Sequence, residues 1–228
     1  MIATRLAMVL AAGAAGSSMG AFVSFASDSN PDRPTFRSDS YGRNIMDGNA
    51  GVGIGVTLLY DADDNGPGTA VSYTSNLQMQ FDFHSYSAVA VAGGATLHTY
   101  VGHGHFDFRD AFGSALLSVA AFDIVLTSLS DSTATLGTSA TIQANHLASS
   151  FPFVGGLLTL GNPVMTDFAF TLTNMREASG SNVGGLDNNG YWNPWTSEGS
   201  FSGTLVPTPG TIGLVTLGAM LAMRRHRN

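Results

Sequence analysis

Three short clusters in the chain carry residue types that bind ligands or metal ions. The first, residues 61–66 (DADDNG), has alternating oxygen-bearing side chains followed by glycine, which matches the first half of an EF-hand calcium loop. Position 12 of such a loop would be Ser72 and not glutamate, and an ordinary Asp/Asn/Gly hairpin turn explains the same residues. Asp61, Asp63 and Asn65 are therefore calcium ligands in one interpretation and turn residues in the other.

Histidines make up the second cluster. His98 precedes a run in which His103, His105 and Asp107 alternate with other residues, and on a strand these three side chains share one face. Imidazole and carboxylate groups are ligands for transition metals, so a metal site is geometrically possible here. Histidines on a solvent face or at a strand end explain the pattern as well, and a bare pair of histidines favours that interpretation.

The third cluster contains both tryptophans of the chain, in a loop rich in glycine and asparagine. Tyr191, Trp192 and Trp195 lie within five residues of one another. Aromatic faces exposed on a loop stack against sugar rings, so the cluster is one candidate carbohydrate-binding site. In the alternative interpretation the rings plug the end of the domain, which is the commoner role of such residues.

Catalysis finds little support in the sequence. The chain has two glutamates, Glu177 and Glu198, and no G-x-S-x-G, H-E-x-x-H or phosphate-binding glycine motif. The absence of cysteine excludes disulfides, thiol nucleophiles, thiolate metal sites and lipid attachment through cysteine. We therefore expect a protein that is not an enzyme and has no cofactor, apart from the calcium considered for residues 61–65.

The charge of the chain excludes another class of function. All 16 acidic residues but only five of the nine basic residues lie in the body, residues 27–206, which gives it a formal charge of −11. There is no lysine anywhere in the sequence. Nucleic-acid binding requires a basic face, so we expect no nucleic-acid partner.

The elements that must position these clusters are predicted to be strands. Residues 77–84 alternate apolar with polar side chains, and so do residues 167–173, while residues 122–127 follow the pattern less cleanly. Turn residues separate eight or more such segments. The side chains expected to face the core are Leu77, Met79, Phe81 and Phe83 in the first segment and Phe168, Phe170 and Leu172 in the second.

The domain organisation follows from this pattern. Residues 45–206 are predicted to form an all-β sandwich, of jelly-roll type. Residues 110–121 are the only place where a helical turn or two is expected. Residues 27–44 form a polar lead that is either disordered or holds a first edge strand near residues 35–37.

The N-terminus has the pattern of a secretory signal peptide, residues 1–26. Arg5 supplies the positive charge, residues 6–16 form the apolar region, and Ser24 and Ala26 provide a cleavage site of A-x-A type. Cleavage after Ala21 is an alternative. Export of the body through the inner membrane is the predicted outcome.

The C-terminal tail, residues 207–228, is the most specific signal in the chain. It combines a Pro-Thr-Pro-Gly motif (Pro207, Thr208, Pro209, Gly210), an uncharged apolar run at 211–223, and a basic end (Arg224, Arg225, Arg227). The prolines keep the preceding chain extended, and the apolar run is a single membrane helix counted from Val206. Arginines beyond such a helix stay in the cytoplasm, which places the body outside.

The motif, the helix and the basic end, in this order, resemble the PEP-CTERM sorting signal of exported bacterial proteins. The family's usual motif has glutamate at the position of Thr208. The resemblance implies a Gram-negative host that makes extracellular polysaccharide, and an exosortase-type membrane protease that removes the tail. It further implies transient membrane retention, followed by delivery to the cell surface or the extracellular matrix.

Two functions are consistent with such an exported body. One is a structural or matrix component linked to extracellular polysaccharide or biofilm. The alternative is a lectin-like module that binds carbohydrate through the Trp192 and Trp195 loop.

Overall fold

The structure, a computed structural model, describes residues 21–26, 34–39, 44–61, 70–144, 147–150, 164–186 and 188–206. These residues form one large antiparallel sheet and contain no helix, which confirms the predicted all-β class. The strands are β1 (Ala21–Ala26), β2 (Phe36–Ser38), β3 (Asn44–Asp47), β4 (Ile54–Asp61), β5 (Val71–Ala90), β6 (Thr96–Arg109), β7 (Ala115–Ser130), β8 (Ala140–Ala144), β9 (Leu147–Ser150), β10 (Val164–Glu177) and β11 (Trp195–Val206).

The sheet closes on itself because its first and last strands pair. From β4 to β8, and on through β10 to β11, each strand pairs with the next, while the short β9 pairs with β7. β1 completes the circuit between β11 and β4, with Ala21 opposite Leu205 and Phe22 opposite Asp61. Neighbours in the circuit thus follow one another along the chain, in contrast to the crossed connections of the predicted jelly roll.

A second bridge joins β11 to β5 at the other end of the sheet. β2 pairs with β11 at Thr196 and Ser197, β3 pairs with β5 around Phe81, and β2 and β3 pair with each other. The strand expected near residues 35–37 is therefore present, but it has a partner on both sides and is not an edge. Residues 27–33 and 40–43 of the predicted polar lead lie outside the described residues.

Aromatic side chains from opposite parts of the sheet fill its interior. Phe106 of β6 lies at the centre, with its ring centroid 5.1 Å from those of Phe168 and Phe170 on β10 and 5.3 Å from that of Phe201 on β11. Such pairs contribute about 0.5–1.5 kcal/mol each beyond the area that they bury. The inward positions predicted from the alternating segments are all buried: Leu77, Met79, Phe81, Phe83, Phe168, Phe170 and Leu172.

The expected helical turn at residues 110–121 is wrong. Residues 111–113 form a turn, and β7 begins at Ala115. The segment is rich in alanine and leucine, which favour helices, but its alternate side chains Leu117, Val119 and Ala121 are buried in the sheet. Pairing with β6 on one side and with β9 on the other therefore outweighs local helix propensity.

A β-bulge explains why residues 122–127 alternate imperfectly. Phe122 and Asp123 are both exposed and together lie opposite the single residue His103. The extra residue shifts the alternation by one position, so that Ile124 and Leu126 face the core again. Phe122, which a strict alternation would bury with them, is 59% exposed.

Candidate functional site

The predicted calcium ligands are described only in part. Asp61 is the last residue of β4, opposite Phe22, whereas Asp63 and Asn65 lie outside the described residues. In the ranges that the structure describes, no three His, Asp or Glu side chains converge as a ready-made metal centre. Calcium binding at residues 61–65 therefore stays a prediction.

Residues 1–20 of the predicted signal peptide lie outside the described residues as well. The same holds for the whole predicted tail, with its sorting motif (Pro207, Thr208, Pro209, Gly210) and its basic end (Arg224, Arg225, Arg227). Across the described ranges, no helix has the length and apolar character needed to span a bilayer.

The predicted cleavage site at Ala26 is described, and it lies within the sheet. Ala26 is the last residue of β1 and pairs with Ser200. Two residues of the same strand, Val23 and Phe25, are each only 2% exposed. Cleavage after Ala26 would therefore remove a strand that contributes three core side chains, those of Ala21, Val23 and Phe25, and joins β11 to β4.

The tryptophan loop closes one end of the sheet. Trp192 and Trp195 are 5% and 2% exposed, whereas Tyr191 is 42% exposed. The Trp192 ring lies edge-on to Tyr100, 5.0 Å between centroids, and 6.2 Å from Trp195. Stacking on sugars requires open ring faces, so the two tryptophans do not form the exposed platform that the carbohydrate interpretation needs. They act as the plug of the alternative interpretation.

Glu177 anchors this loop from the end of β10. Its carboxylate accepts hydrogen bonds from the Asn193 side chain at 3.0 Å and from the backbone N–H of Gly184 at 2.7 Å. These two bonds lower the pKa of Glu177, because they favour the ionised form. One of the two glutamates in the chain is thus explained by loop anchoring.

Beneath the plug, His98 is buried at the centre of a polar cluster. Its Nε2 lies 3.0 Å from the Ser132 carbonyl oxygen and 2.9 Å from Ser130 Oγ, and its Nδ1 lies 3.0 Å from the Tyr86 hydroxyl. A carbonyl only accepts, so Nε2 carries the proton and Nδ1 accepts from Tyr86. Burial lowers the pKa of His98, against a smaller opposing effect of the bond to Ser132. A neutral imidazole therefore joins β5, β6 and the turn after β7.

The other two histidines of the predicted cluster face the opposite side of the sheet from His98, so the cluster is divided. His103 and His105 are exposed on the outward face, and Asp107 on the same face forms an ion pair with Arg109 at 2.9 Å. His98 points inward and is wholly buried. The His103 ring lies next to that of His84 of β5, with 5.9 Å between ring centroids.

The outward face of β5 to β8 has no charged side chain over three successive levels. The middle level is a row of hydroxyl side chains, in which Ser87, Thr99, Thr127 and Thr141 are cross-strand partners. The row continues through Thr171 and Ser200 on the next two strands. We call the following set the uncharged face: Ser85, Ser87, Val89, Leu97, Thr99, Val101, Val125, Thr127, Leu129, Thr141 and Gln143.

Sequence reasoning missed both the uncharged face and the His84–His103 pair. Each depends on register between strands that are distant in sequence, and no local pattern encodes it. The available signal was weaker: outward positions of the predicted strands in this region are all Ser, Thr, Val, Leu or Gln, in a body of charge −11.

Comparisons with known proteins do not identify a family. No protein-family model, no curated protein and no solved structure matches the chain.

Proposed function

We propose that the protein is an exported, non-catalytic component of the cell surface or of an extracellular polysaccharide matrix. In this proposal the tail is a PEP-CTERM-like sorting signal that an exosortase-type protease removes. The observation that carries the matrix role is the uncharged face, which lies on a body with a formal charge of −11.

Electrostatics supports a polysaccharide as the partner of this face. Charged side chains hold a bound hydration shell and repel polymers of the same sign, so a negatively charged body has few places where a neutral or acidic polymer can approach closely. The uncharged face is such a place. Its row of hydroxyls repeats about every 4.8 Å across neighbouring strands and is flanked by rows containing Val and Leu. Sugars present the same combination of hydroxyl edges and apolar ring faces.

The interior supports a structural role in preference to a buried binding site. Aromatic side chains that are in mutual contact fill the interior of the closed sheet. The tryptophan plug closes one end of this core. We therefore place recognition on the outer surface.

We also propose that export removes the residues before Ala21 and leaves β1 in the mature protein. Ser18 and Gly20 are small residues spaced as a signal peptidase requires for cleavage after Gly20. The burial of Val23 and Phe25 supports this site over one after Ala26, because the second site removes both side chains from the core.

The intact mass of the protein recovered from the surface and medium of its own cells tests both ends. A mass that corresponds to a chain beginning at Ala21 and ending near Pro207 to Pro209 supports export, the upstream cleavage site and tail removal. A mass that retains Arg225 and Arg227 would show that the tail is a plain membrane anchor. A mass that begins at Ser27 would contradict the upstream site.

Co-sedimentation with the polysaccharide of the same cells tests the matrix role. The double variant Thr99→Glu/Thr127→Glu places two carboxylates in the hydroxyl row and should abolish binding. The control is Thr57→Glu/Thr74→Glu, a cross-strand threonine pair on β4 and β5 whose side chains are exposed, whereas those of Thr99 and Thr127 are half-buried. Both variants place two like charges opposite each other. Equal binding by the two variants would remove the uncharged face from the proposal, and no binding by the unaltered protein would refute the matrix role.

A further inference from the structure

Two β-bulges flank His103 on the outward face of the sheet. On one side, His84 is an extra residue of β5, inserted where the register with β6 shifts. On the other side, Phe122 and Asp123 of β7 both lie opposite His103. Bulges re-aim side chains and are over-represented next to functional sites. Here the two bulges add an outward side chain to each of the strands β5 and β7, which flank His103.

The bulge in β5 places the His84 and His103 rings within reach of a common ion. Their centroids lie 5.9 Å apart with an angle of 34° between the ring planes, and both side chains are exposed. A metal ion bound about 2.1 Å from one nitrogen of each ring holds the two centroids roughly 5 to 6 Å apart. Small side-chain rotations are therefore enough to bring both nitrogens to one ion.

Carboxylates stand on both sides of the pair. Asp82 of β5 is the direct cross-strand partner of His103 and points outward with it, and Asp123 lies on the opposite side in the β7 bulge. Their negative charge favours a cation at this position, as does the acidic body around them. Imidazole nitrogen next to carboxylate oxygen suits copper, zinc or nickel, whereas calcium and magnesium prefer oxygen ligands alone.

Sheet curvature explains the bulges but not the histidine. Gly102 and Gly104 flank His103, and a Cβ at either would overlap the backbone of β5, so β6 approaches β5 very closely here. Bulges and glycines together bend a sheet sharply. Such a bend requires an extra residue in β5 and leaves its type open. The imidazole at position 84 is therefore the feature that curvature leaves unexplained.

We propose that His84 and His103 form an exposed two-histidine site for a divalent transition-metal ion, with copper(II) bound most tightly. Copper leads the affinity order of divalent first-row metals at nitrogen ligands. Two ring nitrogens supply the protein ligands, and water completes the coordination. An open site of this kind binds and releases its ion reversibly. The proposal does not depend on the matrix role.

The test is titration of the full chain, kept in solution with a non-ionic detergent, with copper(II) and separately with zinc(II). The titrations are done at about pH 7.5, because a metal ion binds an unprotonated ring nitrogen. Calorimetry gives the affinity, and electron paramagnetic resonance of the copper form counts the coordinated nitrogens. The variants are His84→Ala, His103→Ala and the matched control His105→Ala. His105 is exposed on the same strand, but its cross-strand partners are Gln80 and Ala120, so it has no imidazole opposite it.

We expect one copper site with two coordinated ring nitrogens in the unaltered chain. Loss of a neighbouring support residue costs metal sites 10- to 100-fold in affinity, so loss of a direct ligand should weaken binding at least about tenfold in His84→Ala and in His103→Ala. One coordinated nitrogen should remain in each, and His105→Ala should bind as the unaltered chain does. Equal weakening by all three variants, or unchanged binding in His84→Ala, would overturn the proposal. Far-ultraviolet circular dichroism confirms that each variant retains the sheet.

Discussion

Phe25 offers the sharpest test of whether the first strand belongs to the domain. Its ring is 2% exposed and lies 5.7 Å from Phe108, 6.4 Å from Phe170 and 5.9 Å from Phe201, centroid to centroid. Replacing a buried phenylalanine with alanine removes its transfer free energy and leaves a cavity, which together cost about 3–5 kcal/mol. Phe25→Ala should therefore lose a large share of the roughly 5–15 kcal/mol that stabilises a typical domain.

The matched control is Phe22→Ala on the same strand. Phe22 is 37% exposed on the outward face, so its removal opens no cavity and should cost about 1 kcal/mol. Urea unfolding of a chain spanning residues 21–206 provides the assay. With a slope of about 2 kcal/mol per molar urea, Phe25→Ala should lower the midpoint by roughly 1.5–2.5 M and Phe22→Ala by about 0.5 M. Equal shifts in the two variants would refute the packing of β1 in the core, and with it the upstream cleavage site.

Three further predictions concern the plugged end of the sheet and its surroundings. Burial lowers the pKa of His98, so on acidification the unfolded chain binds a proton at this residue before the native protein does. The free energy of unfolding, measured with urea, should therefore fall as pH drops below about 6.5. His98→Gln should remove this dependence. Gly190→Ala should lower the melting temperature more than Gly93→Ala, because both have positive φ but only the first would overlap a neighbouring tyrosine ring. Glu177→Gln should speed hydrogen exchange at the Gly184 amide, because the Glu177 carboxylate accepts a hydrogen bond from this N–H. Acidification through the lowered pKa of Glu177 should have the same effect.

The alternating segments made the core predictable from sequence. Leu77 to Phe83 and Phe168 to Leu172 alternate strictly, and one face of each is buried as expected. A period of two residues is a local property of a strand that buries one face, so it can be recognised without knowing the partner strand.

What the sequence did not reveal depends on partners far away in the chain. The contact between His84 and His103 follows from a register shift between β5 and β6, and the row from Ser87 to Ser200 follows from five successive pairings. The residues Ala21–Ala26 fit the end of a signal peptide as well as a strand, because small and apolar residues serve both purposes. The composition around Trp192 and Trp195 predicts a loop, and only the burial of the two rings at the closed end of the sheet shows that they act as a plug.

The pairing of Ala21 with Leu205 has a consequence for the order in which the protein folds. A chain exported from its N-terminus delivers β1 first and β11 last, so the circuit closes only after the whole body has crossed the membrane. Until then β1 and β10 each present an open edge that can pair with another molecule. Contacts between such distant segments also form slowly. Under the proposed sorting mechanism, the tail that follows Val206 holds each chain at the membrane during this interval. Membrane retention would then keep incompletely folded chains apart until β11 of each has paired with β1.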